Sequence, residues 1–543
     1  MLIPSDPPAL QVIVLGSGGG PLESNTTAFL VRSVASGWSK GSIVAVDAGI
    51  HLSAISRILE ETQPKSLGTD VALPHTLEKG PFAGLEVQNK GALANGARIT
   101  HDLVDTYLIT HPHLDHISGF VVNTAALSAT RPKKLAGLPT TISAFKKHIF
   151  NNVIWPNLSD ENNGVGLVTY MRLVEGGNPA LGEGEGKGYV EVNDGLAVKM
   201  WSVSHGHCME RHSHRGSTSS QGGLGGGSSI DAGRGSFLHS NNSNGGSHIK
   251  GPISNGTGHA SHHNGLTRTS SLINQATALA QSCECRERIC VYDSSAYFIR
   301  DVATAREILI FGDVEPDSLS LTPRNHQVWL EAGPKIACGQ LAAIFIECSY
   351  DNSQADEQLF GHLKPKYIIE ELQALAAQVR VARQESQILR ESRKRKRDHN
   401  STLDTARHRK PPPPSLEDQD PVSPKSMRPV AHVAIATPEG SRGTSRISSP
   451  VSELSLVDDI EALSNALSPL PPPFVDQETQ SPVDSTDNYP LRGVKVVIIH
   501  MKERLSDECD VGVTIKKELD ELEAVAKLGC EFIISYSGQS LYL

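Results

Sequence analysis

The chain has 543 residues, a formal net charge of -10 and a pI of about 6.1. That acidic balance disfavours non-specific binding to nucleic acid or other polyanions. No run approaches the ~20 apolar residues of a membrane-spanning helix, Met1–Pro8 has neither the basic nor the apolar region of a secretory signal, and eight cysteines are too few for a disulfide framework. A cytoplasmic protein is expected, with neither a membrane nor a nucleic acid among its partners.

In chain order, Gln11–Leu15 reads as a buried strand followed by the glycine loop Gly16-Ser17-Gly18-Gly19-Gly20. The loop lacks the helix and acidic ribose partner of a dinucleotide fold, so it reads as a tight turn packed under a site. Thr27–Val34 and Ser42–Asp47 are further β-rich runs, and Asp47 reads as a loop-stabilising carboxylate. Val104–Thr110 is a strand that delivers the chain to His111. Residues 1–205 thus form the first part of an ordered core.

Residues 206–285 turn to Gly, Ser, His and Asn, with too little apolar surface to offset backbone entropy, and are expected to be a disordered insert. Nine of the 22 histidines fall between His205 and His263; most belong to this solvated tract, with His207 the exception worth following. The core resumes over 286–389, with strands at Ile289–Tyr292, Ala296–Ile299, Glu307–Phe311 and Leu341–Glu347 and a helix at Tyr367–Leu389. Residues 390–490, rich in Pro, Ser and charge, form a second expected insert. It carries the basic run Arg393–Arg397, readable as a nuclear-import signal, and Ser423, Ser449, Ser468 and Ser481, each followed by proline. Residues 491–543 hold a strand at Val494–Ile499, a helix at Glu518–Leu528 and a strand at Glu531–Tyr536. This block is too short to fold alone and must complete the same core. Alternating strands and helices make the class α/β.

His111-Pro112-His113-Leu114-Asp115-His116 is the most specific feature. Four potential ligands fall within six residues at a strand end. His111 and His113 share one side of an extended segment, and a turn would aim Asp115 and His116 at a second point. Imidazoles with a carboxylate suit zinc or another first-row divalent ion.

This H-x-H-x-D-H pattern resembles the signature of the metallo-β-lactamase fold, which implies a four-layer αββα sandwich. Finer details resemble one branch of it: Gly16–Pro21, Thr110–Gly119, Phe311–Asp317, Ile346–Ser349, Gly361–Leu363 and His500–Lys502 are similar to class II, fungal-type cyclic-nucleotide phosphodiesterases. The likeness spans the three ordered blocks, about 330–350 residues, and neither insert.

The resemblance implies two divalent ions, zinc by preference with magnesium or manganese as alternatives. His111, His113 and His205 would hold one and Asp115, His116 and His500 the other, with Asp313 bridging. A metal-bridged hydroxide would open a 3′,5′-cyclic nucleotide, cyclic AMP and also cyclic GMP, to the 5′-monophosphate, with His362 as general acid oriented by Glu347. Asp115 counts as a catalytic carboxylate as well as a ligand. A competing assignment exchanges His362 and His500; chain order within the superfamily favours His500 as the ligand. Other readings of the fold are a tRNA 3′-processing endonuclease, a thioester or lactone hydrolase, and a non-catalytic scaffold.

Overall fold

A computed structural model describes residues 7–128, 130–210, 288–404, 488–507 and 510–543. The expected inserts fall largely outside these residues, as do the four Ser-Pro sites. The chain divides into a main unit, Met1–Ala382 with Asn488–Leu543, and a second unit, Arg383–Asp487. The main unit carries everything that follows.

In chain order it contains β1 (Leu10–Gly16), β2 (Ala28–Ser33), β3 (Ile43–Ala48), α1 (Leu52–Thr62), a ribbon of β4 (His75–Thr76) and β5 (Glu86–Val87), α2 (Ala92–Arg98), β6 (Val104–Leu108), α3 (Leu114–Asn123), β7 (Lys133–Gly137), α4 (Pro139–Ala144), β8 (Val168–Arg172), β9 (Val190–Asn193) and β10 (Leu196–Glu210). Then come β11 (Arg288–Asp301), β12 (Glu307–Phe311), α5 (Asn325–Ala337), β13 (Leu341–Glu347), α6 (Pro365–Asp404, running on past Ala382), β14 (Lys495–Ile499), α7 (Val511–Ala526), β15 (Glu531–Ile534) and β16 (Ser540–Tyr542).

The strands form two seven-stranded sheets, in the orders β16-β1-β2-β3-β6-β7-β8 and β15-β14-β13-β12-β11-β10-β9. Because side chains alternate along a strand, each sheet has two faces to cover. Val12 and Val14 of β1, with Phe29 and Val46, pack against Tyr297, Ile310, Phe345 and Val497 of the opposite sheet. Their neighbours Ile13 and Leu15 face outward into a second cluster with Ile55 and Ile58 of α1 and Ile117 of α3. On the far side Leu309, Ile344 and Ile498 meet Trp329 of α5, Leu372 of α6 and Ile515 of α7. Both faces of both sheets are buried, which is why the strands read as continuous apolar runs. The architecture is the expected four-layer αββα sandwich.

Several local expectations change: the helix expected over Glu518–Leu528 spans Val511–Ala526, and β10 continues into the expected insert as far as Glu210. Ile289–Tyr292 and Ala296–Ile299 are one strand, β11, paired along its length with β10; the buried Ser294 and Ser295 between them break the apolar run without breaking the ladder. The helix expected over Tyr367–Leu389 extends over Pro365–Asp404.

The β3-β6-β7-β8 and β12-β13-β14-β15 ladders are parallel. Parallel strands end together, so the chain following β6, β12, β13 and β14 collects at one edge of the sandwich, the usual place for a site in such sheets.

Candidate metal centre

After β6 the chain runs through Ile109 and Thr110 to His111 and His113, and α3 begins at Leu114. Asp115 and His116 therefore sit in the first turn of an α-helix rather than in the expected turn. Asp313 lies two residues past β12, Glu347 ends β13 and His500 follows β14 directly. His205 is within β10, where the ladder register slips between Ser204 and His207 and Gly206 takes φ +74°. That bulge re-aims His205 away from the regular pleat.

Ligand-capable atoms of His111, His113, His205 and Asp313 lie within 4.8 Å of one another, and so do those of Asp115, His116, Asp313 and His500. Asp313 belongs to both groups. One of its oxygens, Oδ2, is 3.6 Å from His111 Nε2, 3.5 Å from His205 Nε2 and 3.2 Å from His500 Nε2. The other, Oδ1, is 3.2 Å from His116 Nε2. All seven sequence-derived ligand candidates are thus brought together. His362 and Glu347 form a separate group with His205, joined by a 2.8 Å contact between His362 Nδ1 and Glu347 Oε1. His500 falls in the second group and His362 does not. His207 lines the adjoining cavity but belongs to neither group.

Four of the rings have their tautomer fixed from behind. His116 Nδ1 meets a carboxylate oxygen, Asp47 Oδ2, at 2.8 Å, and His205 Nδ1 a carbonyl, that of Gly361, at 2.9 Å. His111 Nδ1 lies 3.1 Å from Thr110 Oγ1, whose single proton goes to Asp47 Oδ2. His500 Nδ1 lies 2.7 Å from Thr27 Oγ1, whose proton goes to the Gly18 carbonyl. Each partner can only accept, so each Nδ1 donates and each Nε2 keeps its lone pair for the centre.

Buried His111 Nε2, His116 Nε2, His500 Nε2 and Asp313 Oδ1 have no hydrogen-bond partner. Burying such atoms unmatched is costly, and imidazole nitrogens converging on a carboxylate are the donor set a divalent cation takes. The residues fit a metal.

The electrostatics split the rings, three favouring the neutral form and His116 the charged one. Burial drives His111 well below its ordinary value, His205 down to about 4, and lowers His113. Burial also opposes charge on His116, but Asp313 and Asp47 outweigh it and hold that ring well above its ordinary value. Against the same burial, His500, His116 and His111 keep Asp313 ionised far below the usual carboxylate range. Burial raises Asp115, but the attraction of His116 and then His500 leaves it lowered. In the accessory pair, burial disfavours both charges, yet His362 lowers Glu347 and Glu347 raises His362.

Three supporting residues carry more than their local sequence suggests. Asp47, at φ +54°, accepts from the Thr110 backbone N–H at 2.8 Å as well as from Thr110 Oγ1 and His116. It thus sets two ligand candidates at once. Asp47→Ala is expected to weaken metal affinity by about 10- to 100-fold while leaving the fold intact, measurable by calorimetric zinc titration. Glu347 also accepts the Val314 N–H at 2.9 Å, which pins the residue after Asp313. Gly19 underlies the site: a Cβ there would stand 2.5 Å from His500 Nε2, so any side chain would occupy the ligand atom's own approach. Asp47 had a sequence signal, a carboxylate closing an apolar strand; Thr27 had none, since its partner lies 473 residues away.

A two-sheet αββα sandwich with a histidine–aspartate centre at its strand ends is a metallo-β-lactamase-fold metal site. A family model described as cAMP phosphodiesterases class-II matches residues 9–178 and 257–391. That is more than half of the chain, which belongs to this family. The matched segments include His111, His113, Asp115, His116, Asp313, Glu347 and His362; His205 and His500 lie outside them. A 3′,5′-cyclic-nucleotide phosphodiesterase of Schizosaccharomyces pombe is 27% identical, covering 66% of this chain and 72% of that protein. One from Candida albicans is also 27% identical, covering 68% and 82%. The crystal structure of unliganded yeast PDE1 superposes with a TM-score of 0.53 at 18% identity, covering 99% of this chain and 100% of that one; it attests the fold.

Proposed function

We propose that this chain is a 3′,5′-cyclic-nucleotide phosphodiesterase that hydrolyses cyclic AMP, and cyclic GMP beside it, to the 5′-monophosphates. The observation that carries the reading is Asp313, shared by two ligand groups, with the Glu347–His362 pair beside it. His111, His113 and His205 would hold one divalent ion and Asp115, His116 and His500 a second, both zinc by their nitrogen-rich donors. Bound there, the ions supply a lowered pKa for the attacking water and neutralisation of charge on the phosphoryl oxygens.

The chain's own residues do the rest. Asp115, kept ionised by His116 and His500, accepts a hydrogen bond from the attacking water. The water oxygen, having released one proton to solvent, bonds to phosphorus as the P–O3′ bond breaks in line with it. The departing O3′ takes the Nε2 proton of His362, whose Nδ1 is held by Glu347. His362 then recovers a proton from solvent, and the 5′-monophosphate leaves.

Purified protein is expected to turn over both cyclic nucleotides in a zinc-containing assay. Hydrolysis of a generic phosphodiester or a precursor tRNA, with neither cyclic nucleotide consumed, would reject the proposal. Among the described residues no helix is long and apolar enough to cross a membrane. The cytoplasm or nucleus is the compartment we assign, supported by the free thiols of Cys338, Cys348 and Cys530.

A further inference from the structure

Beside the metal centre lies a cavity of about 450 Å³, lined by His113, His205 and His362 of the site and within the size range of small-ligand pockets. Three large apolar side chains also line it while remaining exposed: Phe360 at 72%, Tyr292 at 44% and Leu319 at 44%. Single exposed apolar residues are ordinary on a protein surface, but three on one polar-rimmed cavity mark a binding surface.

Phe360 is held in this position under strain. Its φ is +53°, a left-handed conformation that a bulky aromatic seldom adopts. The loop cannot relax it, because both neighbours are fixed. Leu359 is buried in the core and its carbonyl accepts from His362 N at 3.0 Å. Gly361 packs backbone to backbone against β10, where a Cβ would stand 2.6 Å from Gly206 N, and its carbonyl holds His205. A rigid loop thus presents an aromatic face to solvent two residues from His362.

The remaining charged lining groups are the carboxylates of Glu315 and Glu357, together with Asp356, which is ion-paired with Lys364. They disfavour an anion anywhere but against the histidines, which orients a cyclic nucleotide with its phosphate on the centre and its neutral base in the apolar part. We infer that Phe360 is the nucleobase-stacking platform of this enzyme, with Tyr292 and Leu319 as the other walls. This subsite rests on the phosphodiesterase reading above. It binds through the π-face, which every base has, so it selects for a base rather than for one base.

The test compares cyclic AMP with base-free ribose 3′,5′-cyclic phosphate on the zinc-loaded enzyme. Phe360→Ala is expected to raise KM for cyclic AMP by roughly tenfold or more, the scale of losing one aromatic–base stack, with kcat nearly retained. The KM for the base-free substrate should not follow, and Phe360→Trp should restore that for cyclic AMP. A Phe360→Ala enzyme that keeps its cyclic AMP KM, or loses both substrates equally, overturns the subsite. A wild-type enzyme inert on both substrates overturns the underlying reading and the subsite with it.

Discussion

Asp313→Ala is expected to abolish paired metal binding and to lower turnover of cyclic AMP by on the order of 10³-fold, the scale of losing a preorganised charge-stabilising contact. The carboxylate is the only group common to both ligand groups. Without it His111, His205 and His500 lose the oxygen 3.2–3.6 Å from their Nε2 atoms. His116 loses one of the two carboxylates that hold its pKa up. Asp313→Asn separates charge from shape, since the amide keeps the volume of the carboxylate but cannot bridge two cations as an anion does. Both variants should show less than half of the wild-type metal by elemental analysis. An Asp313→Ala protein with undiminished metal and full rate would remove the basis of the whole scheme.

His362→Ala should behave in the opposite way, with metal content retained and turnover lost. Removing a positioned general acid typically costs about 10²–10⁴-fold. The leaving O3′ is an alkoxide that needs a proton, whereas a nitrophenyl phosphodiester has a leaving group that does not. The variant should therefore lose far more on cyclic AMP than on the nitrophenyl ester. Equal losses on both would mean that His362 positions substrate rather than protonating it, and a missing ion would move it into the ligand set in place of His500. The pH profile gives a second readout. Against burial, Glu347 raises His362, so the acid form persists above the ordinary imidazole range and activity falls as pH rises through that elevated value. In Glu347→Gln the raising charge is gone and the alkaline limb should move to lower pH. That variant also perturbs Val314, whose N–H Glu347 accepts, so its rate is not a measure of proton transfer alone.

Most of the ligand candidates were legible because His111, Asp313 and His500 follow apolar runs at strand ends and Asp115 and His116 lie within five residues of His111. His111 to His116 needed only six positions; Asp313 and His500 each needed a strand before them. What surrounds those ligands was not legible in the same way. Asp47 reaches His116 across 69 residues and His500 reaches Thr27 across 473, contacts that exist only after two sheets have stacked. The bulge at His205 depends on pairing between β10 and β11, whose partners lie on opposite sides of residues 211–287. Helix α3 escaped notice because its first turn carries Asp115 and His116, polar residues that interrupt the apolar pattern where a helix would be read. Phe360 had no signal at all, since an aromatic residue in a loop reads as core until its exposure and backbone conformation are known.

The edge pairing of β16 on β1 has a topological consequence. Ala9 N and Leu10 N both donate to the carbonyl of Leu543, at 2.7 and 2.9 Å, so the first and last described strands meet side by side. Residues 9 and 10 are therefore backbone neighbours of residue 543, and Glu210 and Arg288 form a second such pair at the end of the β10–β11 ladder. Pairings of this kind join segments remote in sequence, so the order of histidines and aspartates along the chain is not what brings them to the centre. What the centre requires is the circular order of strands. A chain opened between residues 211 and 287 and joined from 543 to 9 would present His500 before His111 and still bring the same atoms to Asp313.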